Sequence, residues 1–233
     1  MTQTSAPSTA IIPTGLRRTY LAGGIGGIMA FAFWVLQPIL VSAMTGDAED
    51  LYGSHEYFLT FPWNGLYEAI TFTGIGVGAL VAVVATTRLV SARTPEPSTW
   101  LQVGQVMGVI GSSAWLLVAG LSSAPWTSVG YYVDELVPDR PEQAAVYEAF
   151  SLVLTGCIVA FAIAMSGWLI AFGLSARRRG VVGWPLAVFA LVCAAVTISP
   201  FFVPFSSPWG SIAPLLYLLV LGVALLVKSR KAA

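Results

Sequence analysis

Two glutamates in matching surroundings are the first residues of this sequence that could do chemistry. Leu66-Tyr67-Glu68-Ala69-Ile70-Thr71 and Val146-Tyr147-Glu148-Ala149-Phe150-Ser151 are identical or conservative at all six positions, and each opens a long apolar run. A carboxylate carried to the centre of a bilayer costs about 2.5–3.5 kcal/mol on insertion scales. Two arrangements offset such a cost. In one, both groups lie at headgroup level, hydrated and favoured by the positive end of the helix dipole. In the other they turn inward and share one proton or one cation, as crowded, desolvated carboxyls do. The inward arrangement makes a proton relay, an ion site or a general acid. Tyr67, Tyr147, Trp63 and Asn64 would then line the binding surface of an apolar substrate, with Phe58, Phe61 and Phe72 near the same level.

Other chemistries find little support. His55-Glu56 with Asp47, Asp50 or Glu135 is a poor metal set, because there is a single histidine and no ligand spacing. No metal and no cofactor is expected. HExxH, GxSxG and GxxxxGK[ST] are absent. Gly23-Gly24-Ile25-Gly26-Gly27 lies within an apolar run with no strand before it, so it is not a phosphate loop. Cys157 and Cys193 fall in apolar runs without a CxxC and read as small buried hydrophobes. No basic patch with interleaved aromatics points to nucleic acid.

Asn64-Gly65-Leu66-Tyr67-Glu68 resembles the aromatic–Glu step of small membrane-bound terpene cyclases. The resemblance covers five residues and no second motif accompanies it, so it carries no family assignment. What it implies is one candidate activity. A neutral carboxylic acid, Glu68 or Glu148, would protonate an isoprenoid alkene or epoxide while aromatic faces hold the resulting cation.

The elements that must position these groups follow from composition. Of 233 residues 57% are hydrophobic and only 9% charged, with a mean hydropathy of +0.81, against about one-quarter charged in a soluble domain. The expected fold is an all-α integral membrane protein, a bundle of about six transmembrane helices. Residues 1–18 read as a flexible cytoplasmic tail, 19–228 as the transmembrane domain and 229–233 as a basic cytoplasmic C-terminus. Spans fall at about 21–44, 64–87, 100–121, 145–174, 181–202 and 209–227, each long enough for a ~30 Å hydrocarbon layer. A cleaved signal peptide is the rival reading of the first, on Arg17-Arg18 and Val41-Ser42-Ala43. The run is longer than a typical signal core and contains Gln37 and Pro38.

The charges set the orientation. Of the eleven basic residues only Arg140 lies outside the tail, the even-numbered loops and the C-terminus. Lys and Arg concentrate on the cytoplasmic side, so both termini are expected inside and the protein in the cell (plasma) membrane. Ten of the eleven acids then fall on or near the outer face, Glu96 being the exception. Trp63, Trp126 and Trp209 mark outer span ends, and Trp100 and Trp184 inner ones. Gly23, Gly24, Gly26, Gly27, Gly74, Gly76 and Gly78 suit close helix packing, and Gln37, Gln102 and Gln105 suit hydrogen bonds between helices. A second echo, Ser122-Ser123-Ala124-Pro125-Trp126 against Ser206-Ser207-Pro208-Trp209, suggests repeated helical hairpins, an arrangement known from transport folds.

Three functions fit these features. The foremost is a non-catalytic accessory or assembly membrane protein, its partners the lipid bilayer and a larger membrane complex. The second is an intramembrane enzyme acting on an apolar, isoprenoid-like small molecule through Glu68 and Glu148. The third is a small ion-coupled transporter or exporter.

Overall fold

The structure, a computed structural model, describes residues 14–45, 64–93, 98–129, 141–203 and 207–231. Among these residues there are six α-helices: α1 (Thr14–Thr45), α2 (Asn64–Ser91), α3 (Thr99–Val129), α4 (Pro141–Arg178), α5 (Trp184–Ile198) and α6 (Ser207–Lys231). A single 3₁₀ turn, Ser199–Phe201, extends α5. Each helix holds a segment long and apolar enough to cross a membrane, because only a helix satisfies every backbone group within lipid. The chain is therefore an all-helical, multi-pass membrane protein.

Helix ends depart from the spans expected from hydropathy. α3 continues through residues 122–129 and α4 begins at Pro141, both within what reads as an outer loop. The helical backbone also starts at Thr14, inside the expected tail. Hydropathy marks the thickness of the hydrocarbon, whereas a helix continues for as long as its own hydrogen bonds are the best partners available.

Every helix packs against its neighbours in sequence, and α6 returns to α1, closing a ring. The closing seams are made of glycine. A Cβ on Gly26 would lie 2.7 Å from the Gly78 carbonyl oxygen, and one on Gly222 would lie 2.8 Å from that of Gly24. Gly26 thus faces α2 while Gly24 and Gly27 face α6, which seats α1 backbone-to-backbone against two partners.

Opposite α1 the filling is aromatic. Trp168 and Phe172 of α4 stack at 5.2 Å, and Tyr217 of α6 meets Trp168 edge-on at 6.2 Å. All three are essentially inaccessible, as are Phe161, Met165 and Leu218. The outer surface is apolar too: Ile25, Val106, Leu117, Leu152 and Val192 are all more than half exposed, as expected where lipid is the solvent.

At the end of the bundle bearing most arginines, α4 stops in a Schellman motif. Gly180 holds φ at 67°. The Val181 N–H donates to the Ala176 carbonyl at 2.9 Å and the Gly180 N–H to that of Arg177 at 3.1 Å, a geometry that glycine adopts without strain. Trp100 and Trp184, at the first turns of α3 and α5, are 57% and 63% exposed there, where an interface belt needs them. Gln102 of the same end is exposed rather than set between helices.

Candidate functional site

Glu68 sits in the second turn of α2 and is only 6% exposed, with Tyr67 beside it at 8%. Neither is without a partner. Thr71, fully buried, turns its hydroxyl back along the helix and donates to the carbonyls of Tyr67 (3.0 Å) and Glu68 (3.1 Å), so it adds no free polar group. One turn deeper, Phe72 stacks on Trp115 of α3 at 5.4 Å, and Trp115 meets the ring of Phe161 of α4 edge-on at 5.3 Å. Glu68 therefore lies one turn outward of an aromatic wall built from three helices.

Glu148 is placed differently. Phe72, Trp115 and Phe161 share one level, and Val83, Gly108 and Trp168 share another. Glu68 lies four residues outward of Phe72, and Glu148 thirteen outward of Phe161. Counted from the deeper level the intervals are fifteen and twenty residues. The backbone at Glu148 is thus roughly 8–13 Å further out along the axis than that at Glu68. A shared proton needs oxygens within hydrogen-bond reach, and this offset works against it. The side chains of Asn64, Tyr147 and Glu148 lie outside the described residues, as do Trp63 and the His55 loop.

The spans carry few other polar side chains, and most are satisfied locally. Thr86, Ser112 and Thr197 donate to the carbonyls of Ala82, Gly108 and Cys193. Ser166 alone among these reaches another helix, donating to the Ala194 carbonyl of α5 at 3.2 Å. Trp115 Nε1, Trp168 Nε1 and the Tyr217 hydroxyl are buried with no hydrogen-bond partner among the described residues, and each such group costs about 1–3 kcal/mol. Sequence reasoning passed over these three. The signal was there, since Trp115, Trp168 and Tyr217 lie mid-span instead of at the span ends where amphipathic rings belong.

Two grooves can be traced among the described residues. One, of about 330 Å³, lies between α4 and α6 and is lined by Thr155, Ile158, Phe161, Pro200, Phe201 and Ser211. The other, of about 380 Å³, lies between α1 and α2 at the arginine end. Cys157 and Cys193 are free thiols, the second buried. Comparison of the chain with protein-family models, curated proteins and solved structures gives no match.

Proposed function

We propose that this chain is a non-catalytic membrane protein, an accessory or assembly subunit that docks by its lipid-facing helices within a larger complex of the cell membrane. The observation that supports it best is the filled interior. Trp168, Phe172 and Tyr217 interlock with Phe189 at 5.2–6.5 Å between ring centres, in the middle of the spans, where a carrier or an enzyme needs room for its substrate. Interlocked rings transmit strain and hold shape, which suits a scaffold. The same filling leaves the ion-coupled exporter without a supporting observation. The distribution of Lys and Arg supports termini on the cytoplasmic side.

The test is purification at native abundance in a mild detergent, followed by native mass spectrometry. A partner chain in fixed whole-number ratio is the expected result. A solitary, monodisperse protein, in detergent and in nanodiscs alike, would overturn the proposal.

One observation favours a second reading, an intramembrane enzyme acting on an apolar isoprenoid-like substrate. It is the burial of Glu68 above Phe72, Trp115 and Phe161, an acid next to ring faces that stabilise cations. Reconstituted protein supplied with polyprenyl alkenes and epoxides would then form cyclised product. Product formation that survives both Glu68→Gln and Glu148→Gln, each made separately, would end this reading.

A further inference from the structure

The cations at the arginine end divide into two groups. Arg93 donates to the Tyr20 hydroxyl at 3.4 Å, Arg179 to the Val90 carbonyl at 3.3 Å and Lys228 to the Val181 carbonyl at 2.5 Å. These three clip the helix ends together, Arg179 adding a side-chain donor to a carbonyl in the last turn of α2 that also accepts the Arg93 N–H at 3.3 Å. Arg18 and Arg88 have no hydrogen bond or ion pair among the described residues, and both are exposed. They stand on opposite sides of the 380 Å³ groove between α1 and α2. Topology accounts for the number of arginines at this end. It does not account for two unpaired ones flanking the same groove.

Below the arginines the groove is apolar. Leu80 and Val84 precede Arg88 at four-residue intervals on α2, with Ala85 beside them and Ala22 one turn below Arg18 on α1. The stripe from Arg88 to Leu80 runs roughly 12 Å toward the middle of the bilayer. It ends where Gly26 and Gly78 bring the two backbones together. The groove is therefore charged at the rim, greasy along its length and shut at the bottom.

We propose that this groove binds one phospholipid with an anionic headgroup, from the leaflet at the arginine end. Its phosphate is held between the guanidinium groups of Arg18 and Arg88, and one acyl chain lies along Leu80 and Val84. Guanidinium groups pair with phosphate through parallel N–H donors, and basic pockets between spanning helices suit anionic headgroups. A free phosphate ion would make no use of the apolar stripe. Arg88 lies three residues from the end of the apolar segment of α2, so its guanidinium reaches the headgroup level, where an anion can meet it.

The experiment is native mass spectrometry of protein released from nanodiscs of equimolar phosphatidylcholine and phosphatidylglycerol, with thermal unfolding measured alongside. Wild type is expected to retain one phosphatidylglycerol in several-fold preference over phosphatidylcholine. Arg18→Gln and Arg88→Gln should each lower that preference about five-fold. Val84→Trp, which fills the stripe and leaves both charges, should lower retention as well, and millimolar glycerol phosphate should not displace the lipid. Arg177→Gln with Arg178→Gln, exposed arginines away from the groove, should leave the preference unchanged. Equal retention of the two lipids by wild type overturns the proposal without need of any variant. So does a preference that survives loss of both groove arginines, or one that falls as far in the Arg177/Arg178 control.

Discussion

The two sides of this bundle are held together by opposite means. On the α1 side, Gly24, Gly26 and Gly27 meet Gly78 and Gly222, and backbones touch because there are no side chains between them. On the α4 side, Trp115, Phe161, Trp168, Phe172 and Tyr217 fill the space with rings 5.2–6.5 Å apart. Lipid tails are as apolar as leucine, so burying apolar surface gives membrane helices little reason to associate, and contact area with good fit must do it. Close approach supplies that on one side and large rigid rings on the other. The two solutions fail in different ways. A glycine seam tolerates no added atom, and an aromatic core tolerates no lost one.

The largest effect is expected at the seam. Gly27→Leu drives its first side-chain carbon into the Leu218 backbone carbonyl, which neither helix can move out of the way without parting. Overpacking of this kind costs upward of about 3 kcal/mol when backbone is the obstacle. On size-exclusion chromatography the variant should lose the monodisperse peak; elution and thermal stability like wild type would refute the seam. Trp168→Ala tests the other side by removal. A cavity in place of a fully buried indole should cost about 3–5 kcal/mol in reversible unfolding in bicelles, and a loss below about 1 kcal/mol would mean that the rings are not close-packed.

Much of this fold can be read from the sequence, and the reason is the solvent. Six apolar runs bounded by charges have few alternatives once lipid excludes unpaired backbone, and the runs mark the helices. Their lengths are harder to read, because the stretch from Ser122 to Val129 is helical without being apolar. Which side of each helix faces inward is harder still. In a soluble helix the polar face gives the answer, but here lipid-facing and core-facing positions are equally apolar, so Ile75 and Ile110, both mid-span, look alike in sequence while the first is buried and the second exposed. Glu68 was legible as a candidate because a charge in an apolar run stands out. Its offset from Glu148 was not, since depth depends on how α2, α3 and α4 are registered. The repeat pairs the two glutamates at an interval of eighty residues, whereas the packing aligns Val83 with Trp168 and Phe72 with Phe161 at slightly longer intervals.

The smallest effect comes from one chemical change made at two places. Gly78 and Gly156 are both interior to long helices, and alanine is the better helix former by about 1 kcal/mol. At Gly156 a Cβ meets nothing within 4 Å, so Gly156→Ala should stabilise the protein by roughly 0.5–1 kcal/mol. At Gly78 the same methyl would lie 2.6 Å from the Ala30 backbone nitrogen, so Gly78→Ala should destabilise by about 1–3 kcal/mol. Measured together in bicelles, the two shifts in unfolding free energy should carry opposite signs. Equal signs would mean that these glycines matter for flexibility in general, and that contact between α1 and α2 is not what Gly78 is there to permit.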